Sequence, residues 1–221
     1  MAIAAVIFDL DGTVLDNEGK WEEVFRQVAS ENGINVPVPG WLHEPGIGIA
    51  PNWKRLVKEH DLAQKLSSET WKLYGQQGGE LNLRTGLVEL VKAVKDRGWQ
   101  TALATGSEWH TVEKELEELD LYLAFDVTTT GEEVSALKPD PEIYLLTAQK
   151  LGVDPDECTV VEDSVAGVQA AAAAGMLVVG ITSDYARGQD LTAAGAKLVV
   201  DNLGEVVVGL AEYGDSQAGQ F

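Results

Sequence analysis

Two aspartates, Asp9 and Asp11, follow directly on an apolar run near the start of the chain. Their carboxylates repel each other, and stability alone gives no reason to place them so close together. Mg²⁺ is a hard cation that takes oxygen ligands, typically one or two carboxylates together with a substrate phosphate. The pair therefore indicates a magnesium site at which a phosphate can be held.

Further polar side chains follow two other predicted strands. Thr105, Gly106 and Ser107 end one of them, and Glu162 and Asp163 end another. Each has a simpler interpretation on its own, since a Thr-Gly-Ser turn is common and an aspartate before a helix often caps it. Because ligands in open α/β sheets bind beyond the carboxyl ends of the strands, we expect these groups to meet at one edge.

Lys138, in the loop ALKPDP before a predicted helix, is expected at the same edge. Its ammonium adds a fixed positive charge, and Thr105 with nearby backbone N–H groups can hold phosphate oxygens. A carboxylate could then attack the phosphorus in line and form an acyl-phosphate, which water later cleaves. A second carboxyl group would protonate the leaving oxygen and afterwards activate the water.

Short apolar runs alternate with amphipathic helical patterns along most of the chain, which is typical of a parallel sheet covered by helices. The predicted strands are 4–9, 101–105, 124–130, 158–163, 177–181 and 197–200. The predicted helices between them include 86–98, 140–152 and 164–175. We therefore expect an α/β fold with a Rossmann-like parallel sheet flanked by helices.

Residues 17–84 interrupt this alternation, because they contain helical patterns and no convincing buried strand. Trp21 and Phe25 share one helical face, and loops rich in proline and glycine separate the helices. We predict an α-helical cap domain at 17–84, inserted into a core domain formed by 1–16 and 85–221. The last eight residues are expected to form a frayed tail.

The charge balance excludes some classes of partner. Sixteen lysines and arginines against 36 aspartates and glutamates give a net charge of −20, which argues against binding to nucleic acid or to anionic membranes. No apolar stretch approaches the roughly 18 residues of a membrane span. Cys158 is the only cysteine, and we recognise no signal peptide. We therefore expect a cytoplasmic protein. Its expected oligomeric state is a monomer or a weak dimer.

Four ordered motifs resemble those of the haloacid dehalogenase (HAD) superfamily and span nearly the whole chain. They are DLDGT (9–13), LATGS (103–107), LKPDPEIY (137–144) and VVEDSVAGVQAAAAAGM (160–176). The chain is most similar to the phosphatases with a helical cap after the first motif, the group of β-phosphoglucomutase and phosphoglycolate phosphatase. The resemblance implies a Mg²⁺-dependent phosphatase that acts on a small phosphorylated metabolite.

The resemblance also implies roles for the acidic motif residues. Asp9 would be the nucleophile and a Mg²⁺ ligand, and Asp11 would be the general acid/base whose backbone carbonyl also binds the metal. Asp163 would ligate Mg²⁺, with Glu162 beside it either as a further ligand or as a partner that orients the ligands.

The remaining motif residues would bind the phosphate. Thr105 would contact it through its hydroxyl group, and Gly106 and Ser107 would contribute backbone N–H groups. Lys138 would hold the nucleophile and the transferring phosphoryl group, so it belongs to both the catalytic and the substrate-binding residues.

Two departures from the group bear on the reaction. Its sugar-phosphate mutases carry a histidine ten residues after the second aspartate, where this chain has Trp21, and their cap arginine falls near Pro51 here. Both departures favour hydrolysis, while a mutase of the β-phosphoglucomutase type and a catalytically silent metabolite-binding protein remain open alternatives. Asp11 argues against the dehalogenases, which need no Mg²⁺ and lack that aspartate.

Cap residues that contact the substrate are harder to choose from the sequence. Lys54, Arg55 and Lys72 are the candidates for substrate contacts, and Trp21 and Trp53 for the lining of the cap's inner surface. The three histidines lack metal-ligand spacing and are expected on the surface or in loops.

Overall fold

A parallel sheet forms the centre of the core domain. The computed structural model describes residues 3–35, 43–77 and 81–210, and within these ranges the sheet has six strands. They are β1 (Ala5–Phe8), β2 (Gln100–Thr105), β3 (Val127–Thr130), β4 (Cys158–Glu162), β5 (Leu177–Ile181) and β6 (Leu198–Val200). Their order across the sheet is β3-β2-β1-β4-β5-β6. The predicted α/β fold is confirmed, and each predicted strand corresponds to one of these six.

Helices cover both faces of this sheet. The described ranges contain α1 (Glu18–Glu31), α2 (Ile49–Leu56), α3 (His60–Gln76), α4 (Leu87–Asp96), α5 (Trp109–Glu118), α6 (Glu142–Leu151), α7 (Val165–Ala173) and α8 (Gly188–Ala194). The helices α4 and α5 pack on one face, and α6, α7 and α8 pack on the other. None of the helices described has the length and apolar character that crossing a membrane requires.

The strand β1 is apolar throughout because both of its faces are covered. Val6 and Phe8 belong to one apolar cluster, and Ala5 and Ile7 belong to the cluster on the opposite face. Successive side chains of a strand point to opposite faces, so a strand buried on both sides reads as a continuous apolar run. The run ends at the carboxyl edge of the sheet, where Asp9 begins the site.

The helices α1, α2 and α3 follow β1 and form the inserted cap, which has an apolar cluster of its own. Trp53 is fully buried in that cluster, where it packs against Phe25 and donates from its indole to the hydroxyl of Thr70 at 2.8 Å. Trp53 therefore stabilises the cap from within, and the prediction that it lines the inner surface is wrong. The predicted tail lies outside the described residues.

Two chain segments join the cap to the core, and they run side by side. The amide of Asp16 donates to the carbonyl of Asn82 at 2.8 Å, and the amide of Arg84 donates to the carbonyl of Val14 at 2.9 Å. These bonds hold the base of the cap next to the end of β1. The predicted limits of the cap, 17–84, stay a prediction.

The strand order reverses beside β1, and this determines where polar side chains gather. Phe8 is aligned with Leu103 of β2 on one side and with Val161 of β4 on the other. Asp9 and Glu162 therefore leave the sheet at the same level. Such switch points form a crevice at the carboxyl edge of the sheet, and the cap lies over this one.

Candidate active site

Three buried carboxylates lie together at the end of β1 and β4. Oxygen atoms of Asp9, Glu162 and Asp163 all lie within 4.8 Å of one another, and none of the three residues is more than 5% exposed. Carboxylates so close together in a buried place need positive charge or protons to balance them.

Lys138 supplies one positive charge at this cluster. Its ammonium group donates to Asp9 Oδ1 at 2.5 Å, to Glu162 Oε1 at 2.7 Å and to the carbonyl of Ala104 at 3.2 Å. The side chain is 1% exposed, so these contacts are shielded from water. The three contacts use all three of its N–H donors and fix the ammonium beside Asp9.

Glu162 is held by further donors on both of its oxygens. The hydroxyl of Tyr144 donates to Oε1 at 2.9 Å, beside Lys138. The amide and the hydroxyl of Ser164 both donate to Oε2, each at 2.9 Å. With four donors the carboxylate has few lone pairs left for a metal, and its main contact is with the lysine.

Asp163 has a free oxygen, in contrast to Glu162. The hydroxyl of Thr13 donates to its Oδ1 at 2.9 Å, while its Oδ2 is buried and has no hydrogen-bond partner. The side chain does not cap α7, because Ser164 accepts from the amide of Gly167 at 3.0 Å and takes that position. The simpler interpretation of Asp163 as a helix cap therefore does not hold.

The electrostatics of the cluster favour a further cation. Burial raises the pKa of Asp9 well above its usual value; Lys138 opposes this shift, and the neighbouring carboxylates add to it. Burial, followed by the charge of Glu162, raises the pKa of Asp163 to about 7. Burial lowers the pKa of Lys138, but the charges of Asp9 and Glu162 raise it, and the net result lies well above its usual value. One ammonium is therefore too little for three carboxylates.

Two glycines allow the backbone to approach the cluster. A Cβ atom on Gly12 would lie 2.3 Å from Asp163 Oδ2, and the φ of 78° at Gly12 also favours glycine. A Cβ atom on Gly167 would lie 1.6 Å from Glu162 Oε1. The glycines of the first and fourth motifs thus leave room for the carboxylates.

The donor set fits Mg²⁺. Asp9 and Asp163 supply carboxylate oxygens, the unpartnered Oδ2 of Asp163 lacks a positive partner, and the main-chain carbonyl of Asp11 is near in sequence. Hard oxygen ligands with one or two carboxylates are the set that Mg²⁺ takes.

Asp11 is fixed by three hydrogen-bond donors. The hydroxyl of Ser107 donates to its Oδ2 at 2.7 Å. The amide group of Asn17 donates to Oδ1 at 2.6 Å, and the indole of Trp21 donates to the same oxygen at 2.8 Å. Trp21 thus reaches Asp11 from the cap, at the position where the mutases have a histidine. Sequence reasoning noted this substitution but missed the contact.

The predicted phosphate-binding residues line one cavity with the two aspartates. Thr105, Gly106 and Ser107 surround it together with Asp9 and Asp11. The amide of Ser107 donates to the hydroxyl oxygen of Thr105 at 3.0 Å, which orders the turn after β2. The structure thus brings the residues of all four motifs together around this cavity and the adjoining carboxylate cluster.

The cap closes the cavity with aromatic and small side chains, one carboxyl group and one histidine. Its lining residues there are Glu18, Trp21, His43, Gly46, Gly48, Ile49 and Trp71. Lys54, Arg55 and Lys72 are exposed and do not line it, so the structure does not support their predicted substrate contacts. Arg55 instead pairs with Glu44 at 2.9 Å on the cap surface.

A second buried pair at this cavity was missed by sequence reasoning. Glu18 Oε2 and His43 Nδ1 lie 3.2 Å apart, and both side chains are about 6% exposed. Burial, followed by the charges of Asp163 and Asp11, raises the pKa of Glu18 well above its usual value. Burial and Arg55 lower the pKa of His43 to about 3. His43 is therefore neutral near pH 7. It is a buried loop residue, while the other two histidines are exposed.

Comparison with known proteins agrees with this geometry. A family model described as haloacid dehalogenase-like hydrolase matches residues 3–175. The chain belongs to this family. Within it, this HAD-like hydrolase falls in the β-phosphoglucomutase/phosphoglycolate phosphatase subfamily with a helical cap, and it is a phosphatase, a phosphoric monoester hydrolase.

Three relatives illustrate the similarity. The phosphorylated carbohydrates phosphatase of Thermotoga maritima is 34% identical over 203 residues, 89% of this chain and 93% of that protein. The fructose-1-phosphate phosphatase YqaB of Escherichia coli is 32% identical over 183 residues, 78% of this chain and 93% of that protein. The crystal structure of β-phosphoglucomutase from Clostridium difficile has a TM-score of 0.81 at 24% identity, with 96% of this chain and 98% of that chain covered. The last comparison shows the shared fold.

Proposed function

We propose that this phosphatase hydrolyses small sugar or polyol monophosphates with Mg²⁺, through a phosphorylated Asp9. The observation that carries the proposal is the position of Asp9 at the cavity, with Lys138 bonded to one oxygen and Asp11 beside it. A lysine-bound carboxylate at the edge of a cavity is placed to act as a nucleophile.

Asp9, Asp163 and the main-chain carbonyl of Asp11 would hold Mg²⁺, which when bound offsets the charge of the phosphate. Glu162 acts in this proposal through Lys138, since its oxygens accept from four donors. Its direct ligation of the metal stays a prediction.

The residues of the cavity would orient the phosphate for in-line attack. The hydroxyl of Thr105 and the backbone N–H groups of Gly106 and Ser107 would bind the non-bridging oxygens. Lys138 keeps the attacking oxygen of Asp9 in place and stabilises negative charge as it develops on the phosphoryl group. A bond forms between a carboxylate oxygen of Asp9 and the phosphorus atom, while the bond from phosphorus to the ester oxygen breaks.

Asp11 would move the proton, and its hydrogen bonds indicate which oxygen carries it. Its Oδ1 accepts from Asn17 and Trp21, and both of these N–H groups can only donate. Its Oδ2 meets the hydroxyl of Ser107, which can donate or accept. When Asp11 carries the proton, Oδ2 is the oxygen that would hold it, with the Ser107 hydroxyl turned to accept. That proton would pass to the leaving oxygen and be replaced when Asp11 deprotonates the attacking water.

The cavity favours hydrolysis over mutase chemistry. A mutase must hold a bisphosphate, and a second phosphate needs a cation near the cap. None of the described cap residues that line the cavity is lysine or arginine, and residues 36–42 and 78–80 contain neither type. Neutral, hydroxyl-bearing leaving groups suit such a lining, and two relatives are phosphatases whose names give phosphorylated carbohydrates and fructose 1-phosphate.

The test is turnover of p-nitrophenyl phosphate and of a panel of sugar, polyol and nucleoside monophosphates. We expect Mg²⁺-dependent phosphate release that EDTA abolishes reversibly and that Asp9→Asn abolishes. Asp156→Asn, an exchange on the exposed surface, is the control and should keep wild-type activity. Full activity of Asp9→Asn would refute the mechanism, and no turnover despite bound Mg²⁺ would favour the catalytically silent alternative. Isomerisation of a sugar phosphate that depends on added bisphosphate would favour the mutase.

A further inference from the structure

From the structure we infer that Tyr74 of the cap and Glu115 of the core are positioning residues that hold Asp11 in place for proton transfer. The inference rests on the proposed function, because it assumes that Asp11 is the general acid/base. It adds two residues that lie outside the four motifs and that no motif of the sequence indicated.

A continuous chain of hydrogen bonds connects these residues. The hydroxyl of Tyr74 donates to Glu115 Oε1 at 2.8 Å and accepts from Asn17 Nδ2 at 2.9 Å. The same Asn17 nitrogen donates its other hydrogen to Asp11 Oδ1 at 2.6 Å. Asn17 Oδ1 accepts from the amide of Gly12 at 3.1 Å. Both N–H hydrogens and the carbonyl oxygen of the Asn17 side chain thus have partners. Because the nitrogen can only donate and the oxygen can only accept, the direction of each of these bonds is determined.

Tyr74 supports the second donor to Asp11 as well. Its ring stacks on Trp21 with centroids 3.6 Å apart and planes 7° from parallel, and Trp21 donates to Asp11 Oδ1. Tyr74, Trp21, Asn17 and Glu115 are each less than 5% exposed. Hydrogen bonds in a buried, low-dielectric place are strong and rigid, so the network restricts the Asp11 carboxylate to one orientation.

The network crosses from the cap to the core. Trp21 lies in α1 and Tyr74 in α3, both of the cap, whereas Glu115 lies in the core helix α5. The bond between Tyr74 and Glu115 therefore exists only while the cap rests on the core. Asp11 thereby becomes fixed at the stage at which the substrate is enclosed, which couples proton transfer to closure of the cap.

The core itself gains little from Glu115. One of its oxygens, Oε2, is buried without a hydrogen-bond partner, and an unpaired buried carboxyl oxygen costs stability. Burial, followed by the charge of Asp11, raises the pKa of Glu115 to about 8, while the hydrogen bond from Tyr74 and then the charge of Lys20 oppose the shift. Burial, followed by Asp11 and Glu115, raises the pKa of Tyr74, so its hydroxyl keeps the proton and stays a donor. The hydrogen bond from Tyr74 is therefore the favourable contact that the buried Glu115 side chain makes.

Tyr74→Phe tests the inference, because it removes the hydroxyl and both of its hydrogen bonds but keeps the ring on Trp21. The probes are p-nitrophenyl phosphate and the alkyl monophosphate that the wild-type enzyme hydrolyses fastest, both at pH 7. The value of kcat/KM reports the steps through phosphorylation of Asp9, in which Asp11 protonates the leaving oxygen. An alkoxide needs that proton, whereas p-nitrophenolate leaves without it.

We expect Tyr74→Phe to lower kcat/KM about tenfold for the alkyl ester, the factor that corresponds to leaving the buried N–H group of Asn17 without its acceptor. For p-nitrophenyl phosphate we expect a fall of less than about twofold. Glu115→Ala, which removes the acceptor, should repeat this pattern. Glu115→Gln, which keeps an acceptor oxygen, should restore the wild-type ratio between the two esters. Tyr122→Phe, at a half-exposed tyrosine, is the control.

Equal losses for both esters in folded Tyr74→Phe and Glu115→Ala would overturn the inference, because a loosened cap affects the two substrates alike. No loss in either variant would overturn it too. If Tyr74→Phe fails to fold, as judged by its melting curve, Glu115→Ala and Glu115→Gln decide the question. A wild-type enzyme that hydrolyses neither ester would refute the proposed function, and the inference with it; an active wild type with unchanged ratios in the variants refutes the inference alone.

Discussion

Replacing Lys138 with methionine removes the one cation that contacts the carboxylate cluster among the described residues. The ammonium bonds to Asp9, Glu162 and the carbonyl of Ala104, and it is 1% exposed. Methionine has a similar length and fills the space without charge. The variant therefore leaves Asp9, Glu162 and Asp163 buried within 4.8 Å of one another with no cation bonded to them.

The size of the effect follows from the burial of the pair. Removing one partner of a buried ion pair costs about 3–5 kcal/mol, because the other charge is left buried and uncompensated. For a chain of 221 residues this corresponds to a fall in Tm of about 6–20 °C. Loss of the charge beside the phosphoryl group should lower kcat by roughly 10²–10³-fold.

The loss of stability in Lys138→Met should depend on pH. The pKa of Lys138 is raised in the folded state, so its stabilisation is complete throughout the range from pH 5 to 8 and is lost only above its usual pKa of 10.5. Without the lysine, the pKa of Asp9, already raised by burial, rises further, and the folded state takes up protons as the pH falls. The cost is therefore larger at pH 8 than at pH 5.

Thermal and urea unfolding of wild type and Lys138→Met, with EDTA at pH 5 and pH 8, measure this cost. Lys150→Met is the matched control, because Lys150 pairs with Glu133 at a partly exposed site, where such a pair contributes about 1 kcal/mol or less. A melting temperature of Lys138→Met within about 2 °C of wild type at pH 8, with kcat within tenfold, would refute the reasoning.

Three further predictions concern the same cluster. Mg²⁺ at about a hundredfold excess over its Kd should raise Tm by about 5–11 °C, and Asp163→Asn should remove the shift; equal shifts in both proteins would contradict this. The pKa of Asp163 is about 7 in the folded protein, against an unperturbed value of 3.8. Between these two pH values the folded state binds a proton that the unfolded state has lost. The stability of the metal-free protein should therefore fall from pH 4 to pH 7. Asp163→Asn should flatten that decline in urea titrations. Gly167→Ala should lower kcat at least about tenfold, because its Cβ would displace Glu162 and with it Lys138; Gly75→Ala, with no atom within 4 Å of the new Cβ, should not.

The strand ends could be predicted because local sequence determines them. The apolar run before Asp9 requires burial on both faces, and a parallel sheet brings the carboxyl ends of its strands to one edge. The gathering of Asp9, Asp11 and Asp163 follows from topology together with the four motifs. None of this depends on how particular side chains pack.

The contacts between the cap and the core could not be predicted in the same way. The bond from Tyr74 to Glu115 joins residues 41 positions apart, and it depends on how α3 docks on α5. A helical stripe likewise does not reveal whether its apolar face meets the cap's own interior or the site, which is why Trp53 was assigned to the wrong surface. The Glu18–His43 pair has no spacing signal, because the two residues lie far apart in the sequence and belong to no common motif.

The central claim is that Asp9 is the residue that accepts the phosphoryl group. Rapid acid quenching of Asp11→Asn during turnover of p-nitrophenyl phosphate, followed by peptide mass spectrometry, tests it most directly, since loss of the base should slow hydrolysis of the intermediate. We predict one phosphoryl group per chain, located on Asp9 and absent when Asp9→Asn is added. Turnover without a covalent phosphoryl group, or a phosphoryl group on another residue, would contradict the account.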